Sequence, residues 1–213
     1  MARASAAKDG STKDDSTREK VVDAAIACIV DKGFYRASSN EIARRAGVSW
    51  GVIQHYFGNR ESLMVAALRA GATRLARIVE GADVRGATVE ERLLRYWEML
   101  DAYYGRPEYL VHLEITLNLL RDPAVSREAA QTIVDTNKRL QQHFLDHEHA
   151  IAGADRAVVP GYLFHALRGL AMSHVAYEGT VPAEVSAGRD PGRRAEHARL
   201  LIAAIGAQLG GGG

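Results

Sequence analysis

Residues 38–60 read SSNEIARRAGVSWGVIQHYFGNR, and the way this stretch folds decides the rest of the chain. Ser38 with Glu41 three residues on has the spacing of a capping box. In that motif the serine hydroxyl accepts the third helical N–H and the glutamate reaches back to the serine N–H. Ile42 then faces inward, Ala43 is small enough for a second helix to cross closely, and Arg44 and Arg45 face solvent. Gly47 stands where a chain leaving a helix turns left-handed, which glycine does without a Cβ penalty. Ser49 caps a second helix from Trp50 to about Phe57. Val48, Ile53 and Phe57 share one buried face, leaving Trp50, Gly51, Val52, Gln54 and His55 outside.

Two short helices joined by a tight turn, the second polar on its outer face, fit the major groove of DNA. The local charge agrees. From Lys32 to Arg60 there are five basic residues (Lys32, Arg36, Arg44, Arg45 and Arg60) against one acidic residue, Glu41, so five minus one leaves +4, in a chain whose net charge is +1. A compact basic surface on a near-neutral protein suits a phosphate-binding footprint.

Residues 18–64 resemble the N-terminal domain of TetR-family transcriptional regulators. REKVVDAAIACIVDKGF is similar to the family's first helix, and SSNEIARRAGVSWGVIQHYFGNRESLM to its helix-turn-helix and the start of its fourth helix. The resemblance implies an all-α fold of about nine helices. A three-helix DNA-binding domain comes first, followed by a helical effector-binding and dimerisation domain. It implies base reading by Ser49, Trp50, Gly51, Val52 and Gln54, and phosphate contacts from His55, Tyr56 and Arg60. Ser38, Ser39 and Asn40 lie where the preceding helix begins, and free N–H groups at a helix start attract phosphate. Val52 suits a thymine methyl and Gln54 suits adenine. Trp50 stands where lysine is frequent in the family, and Gly58 where another lysine is common, so neither position neutralises a phosphate.

Around this core the chain of 213 residues is 47% hydrophobic and 25% charged, the composition of a soluble globular protein. No uncharged apolar run approaches the roughly 20 residues a membrane helix needs. The opening MARASAAKDGSTKDDST has no apolar segment after its basic residues, which excludes a secretory signal, and it is expected to be a disordered arm over residues 1–16. Cys28 is the single cysteine, so no internal disulfide can form, and a reducing cytoplasm is its natural setting. It falls among Ala24, Ala25, Ile26 and Ile29, which predicts core packing with no cation positioned to lower its pKa.

No alternating run of β-branched residues predicts a strand. Helices are expected over Lys20–Lys32, Arg60–Val79, from a second capping box at Thr88 and Glu91 to Tyr104, and over Glu108–Leu120. Others follow from Ser126 to about Glu148, over Val158–Glu178 and over Glu196–Leu209, with a Gly- and Pro-rich connection at 179–192 and a floppy tail at 210–213. The domains are then 17–62 for DNA binding and 63–209 for effector binding and dimerisation. By the resemblance, the last two helices join two copies into a homodimer.

A small-molecule effector is expected among Trp97, Tyr103, Tyr104, His112, Thr116, Phe144, Phe164, Arg168 and Met172, polar anchors and apolar walls on the middle helices. Arg168, a cation in an apolar helix, needs an anion: a ligand carboxylate or phosphate, or an internal carboxylate such as Glu114. His143 and His147 have a workable metal spacing beside His149, but the segment is polar and near a helix end, where cationic histidine is favoured. No metal, cofactor or catalytic residue is expected. No glutamate is followed by histidine three residues later, and there is neither a phosphate-cradling glycine loop with lysine nor a nucleophile elbow. The expected function is a ligand-responsive repressor that binds a palindromic DNA operator as a homodimer, in the cytoplasm and away from membranes.

Overall fold

The computed structural model describes residues 3–152, 165–172 and 191–210, which form nine helical segments and no strand. They are α1 (Arg3–Lys32), α2 (Ser39–Ala46), α3 (Trp50–Phe57), α4 (Arg60–Glu80), α5 (Val89–Tyr104), α6 (Pro107–Arg121), α7 (Arg127–Ala152), α8 (165–172) and α9 (Pro191–Gly210). Most of the expected Val158–Glu178 helix, Phe164 included, and the tail from 211 on lie outside the described residues.

α1 begins far upstream of Lys20. The sequence reading placed a disordered arm over 1–16, whereas the helix is continuous from Arg3. Nothing between Arg3 and Lys20 is proline, so no residue there interrupts the hydrogen-bond ladder, and Asp14 accepts a hydrogen bond from the Tyr56 hydroxyl. α1 ends where Gly33 takes φ 78°, and α2 ends at Gly47 with φ 65°, the left-handed turn expected there.

The chain divides into two compact units, residues 1–74 with 107–137, and 75–106 with 138–213. In the first, Val21, Ala25, Cys28 and Ile29 of α1 form one core with Ile42 of α2, Ile53 of α3, Leu63, Met64 and Leu68 of α4, Val111 and Ile115 of α6, and Ile133 of α7. The helix-turn-helix therefore rests on α6 and the start of α7 as well as on α1. Two polar ties hold that arrangement. Glu114 of α6 accepts the Phe34 N–H at 2.6 Å, and Ser126 donates its hydroxyl to Glu61 of α4 at 2.6 Å while capping Ala129 N–H at 3.1 Å.

In the second unit, Thr88 and Glu91 complete the capping box at the head of α5. Leu93, Tyr96, Leu100 and Tyr103 of α5 are buried in the same unit as Leu140 and Phe144 of α7, Leu167 and Ala171 of α8, and Ala198 and Ile202 of α9. Tyr103 meets the Phe144 ring edge-on at 4.8 Å, and Tyr104 lies parallel to it at 6.4 Å.

Candidate nucleic-acid interface

α3 is held by its first turn and its buried face. The Ser49 hydroxyl accepts from Val52 N–H at 3.4 Å, while Ile53 and Phe57 are buried. The 3.6-residue period then turns Trp50, Gly51, Gln54 and His55 outward, all exposed, with Val52 half-buried. Trp50 is 37% exposed although its indole is large and apolar, so it stands at the surface and not in the core. Ser38 and Asn40 are exposed and Ser39 half-buried at the head of α2, where the Ser38 hydroxyl accepts from Glu41 N–H at 3.3 Å. Both α2 and α3 thus begin at a serine cap, the outer face of α3 is exposed, and Tyr35, 84% exposed, lies in the turn before α2.

The electrostatics depart from the sequence reading. The Glu41 carboxylate does not close the capping box back to Ser38. It pairs instead with Lys32 at 2.7 Å and Arg44 at 2.6 Å, and these hydrogen bonds, Arg44 first, hold it down to about 2. Arg45 pairs at 2.6 Å with Asp31, the acid immediately before Lys32. Three of the five basic residues are therefore paired, with two carboxylates between them, and Arg36 is exposed. Arg45 also reaches within 4.0 Å of the buried Cys28 sulfur, a cation that the sequence neighbourhood of Cys28 did not reveal.

Two of the expected phosphate contacts are engaged inside the protein. Arg60 donates to the Phe34 carbonyl at 2.7 Å, and burial lowers its pKa. The Tyr56 hydroxyl donates to Asp14, which is also the first cause of its raised pKa. His55 is exposed, with its ring edge-on to Tyr56 at 5.2 Å. Asp14 is the participant that sequence reasoning missed, because no local rule pairs residues so far apart in the chain.

The expected effector residues are placed as follows. His112 and Thr116 belong to the first unit, one helical turn apart on α6. His112 is buried and shares a 2.6 Å hydrogen bond with the Asn137 oxygen; its Nδ1 and the Thr116 hydroxyl have no hydrogen-bond partner among the described residues. Trp97, Tyr103, Tyr104, Phe144, Arg168 and Met172 belong to the second unit. All are buried or nearly so except Met172, which is 38% exposed. The anion beside Arg168 is Glu148, at 2.9 Å, and not Glu114, which is engaged with Phe34. His147 contacts the Val79 carbonyl at 2.6 Å and His143 lies 3.4 Å from Glu80, and no group of three potential metal ligands converges among the described residues.

An all-helical chain presenting a capped, solvent-facing second helix of a helix-turn-helix defines a class, the helix-turn-helix transcriptional regulators. Residues 21–67 match the family model described as bacterial regulatory proteins, tetR family. The HTH-type transcriptional regulator BetI of Rhizobium meliloti (strain 1021) is 32% identical over 143 residues, 66% of this chain and 68% of that protein. Three further BetI proteins match over 36–39% of their own length. A solved TetR-family regulator from Mesorhizobium loti MAFF303099 superposes with a TM-score of 0.69 at 18% identity, over 90% of this chain and 96% of that one. The multidrug binding protein EbrR, solved with imidazole, does so at 0.53 and 24% identity, over 88% and 93%. The chain belongs to the TetR family of transcriptional regulators. Among the described residues, no helix is long and apolar enough to cross a membrane.

Proposed function

We propose that this regulator is a cytoplasmic repressor that binds a palindromic operator as a homodimer and releases it when a small-molecule effector binds. The observation that carries the reading is the outer face of α3, where Trp50, Gly51, Gln54 and His55 are exposed on a helix that begins at the Ser49 cap. Residues 17–62 form the reading head, with Ser49, Trp50, Gly51, Val52 and Gln54 at base edges and Ser38, Ser39, Asn40, His55 and Tyr56 at phosphates. Residues 63–209 bind effector and dimerise, and α4, running from one to the other, carries the change between them.

Dimerisation through the last two helices is supported by Leu200 on α9, which is 64% exposed beside buried Ala198 and Ile202. An apolar side chain held in water beside a buried stripe suits a second copy. Effector binding is supported by the likeness to EbrR and by buried aromatic rings beside incompletely bonded polar groups.

The test is a gel shift against the DNA upstream of the protein's own gene, across a salt series. A shift that weakens with salt, and a footprint of two half-sites about one helical turn apart, are expected. Absence of any shift at modest salt overturns the proposal.

A further inference from the structure

We propose that the side-on edge of the Arg168 guanidinium grips the effector, and that the group gripped is an uncharged hydrogen-bond acceptor, such as a carboxamide or ester carbonyl, on an apolar body. The inference rests on the effector reading above and adds the chemistry of the ligand.

Arg168 is almost enclosed, its side chain 13% exposed, and its Nη2 lies 2.9 Å from Oε1 of Glu148, whose side chain is 6% exposed. The Tyr96 hydroxyl donates to the same Glu148 oxygen at 2.6 Å. The charge of Arg168 is therefore balanced from within the protein. Its hydrogen bonding is not. Nε and Nη2 are buried, yet neither directs an N–H at an acceptor among the described residues. Nη2 is close to Glu148 but not aligned on it, so the pair is held by charge and not by a directed bond. Buried donors left without an acceptor are rare in folded proteins, and each calls for an explanation.

The identity of the two nitrogens matters. Nε and Nη2 carry the parallel N–H bonds of the guanidinium's side-on edge, the edge that takes two acceptors in one plane. The surroundings are aromatic. Phe144 lies 5.6 Å from the guanidinium carbon, and Tyr103 and Tyr104 pack on that ring. Burial pushes the Tyr104 hydroxyl up to about 12, so it stays neutral at working pH.

Charge balance then selects the ligand. A carboxylate or phosphate would satisfy both N–H groups but would place a second anion beside Glu148, with one cation between them and little water to screen the repulsion. A neutral acceptor fills the same two donors and leaves the site neutral. The anionic ligand that the sequence allowed is disfavoured because Glu148 already supplies the anion.

The test uses the full-length protein with ¹⁵N-labelled arginine, titrated with benzamide, benzoate, benzylammonium and toluene as probes. The Arg168 Nε–H resonance is assigned by its loss in the Arg168→Gln/Glu148→Gln double variant, which keeps the charges balanced should Arg168→Gln alone fail to fold. Benzamide is expected to shift that resonance saturably and to bind about tenfold tighter than benzoate or toluene, a preference the double variant loses. Tighter binding of benzoate, equal binding of toluene, or no shift from any probe overturns the inference. Operator binding is read on the same samples without probe. If DNA binding is intact while the benzamide preference is absent, only this inference fails; if DNA is not bound at all, the regulator reading fails with it.

Discussion

Arg60 donates to the Phe34 carbonyl at 2.7 Å and lies over the ring of the same residue, 4.4 Å from its centroid. One side chain at the head of α4 thus closes the corner between α1 and α2, where Gly33 turns left-handed and Glu114 holds the Phe34 N–H. The backbone of Phe34 is gripped at both its donor and its acceptor, so the position of the α2 start depends on groups in α4 and α6.

Arg60→Ala is therefore expected to act on stability. Loss of the hydrogen bond and the ring contact lowers the unfolding free energy by about 1–3 kcal/mol, read by urea denaturation. The salt dependence of DNA binding by the folded variant stays as in the wild type. A slope reduced by about one unit would instead show that Arg60 contacts a phosphate.

In the proposed DNA complex, Asp14 would compete with a phosphate for the Tyr56 hydroxyl, which donates to Asp14 in the free protein. Asp14→Ala is expected to tighten operator binding roughly two- to fivefold by removing that acceptor, whereas Tyr56→Phe weakens binding evenly across sequences. Gel-shift titrations of both variants on one operator give the comparison. Unchanged affinity in Asp14→Ala would mean that the hydroxyl makes no contact with DNA.

Gln54 is exposed on the outer face of α3, where an amide suits adenine. Gln54→Ala should cost about 1–3 kcal/mol on the preferred sequence and relax discrimination at one position of each half-site. Selection of binding sites from a random pool reads this directly, and an unaltered preference would move the reading face elsewhere.

His112 sets a pH dependence. Burial lowers its pKa below the ordinary 6.5, partly opposed by the Asn137 hydrogen bond. Below that value the unfolded chain takes up a proton that the folded protein refuses, so stability falls as the pH drops from about 6.5 toward the lowered folded value. His112→Gln removes this contribution, and urea midpoints between pH 5 and 7.5 should change less with pH in the variant.

The elements that were legible in the sequence are those set by rules acting over three or four residues. Ser49 caps α3, Gly47 ends α2 left-handed, α3 runs Trp50–Phe57, and Thr88 with Glu91 closes a capping box, because each depends on local backbone geometry. The exposed set on α3 follows from the helical period with Ile53 and Phe57 buried. The Ser38 cap shows where such rules stop. Its hydroxyl acts as the spacing predicts, but the Glu41 carboxylate is drawn to Lys32 and Arg44, cations that the end of α1 and the next turn of α2 bring to 2.7 and 2.6 Å.

Sequence alone determined the left-handed turn at Gly47, the Ser49 and Thr88 caps and which side of α3 faces outward, since neighbours along the chain impose those features. Tertiary structure decided where the charges and polar groups find partners: Arg45 with Asp31, Arg60 and Glu114 with Phe34, Tyr56 with Asp14, Arg168 with Glu148. Long side chains reach across several ångströms to whichever opposite group the fold delivers, and electrostatic attraction depends on distance in space, not separation along the chain.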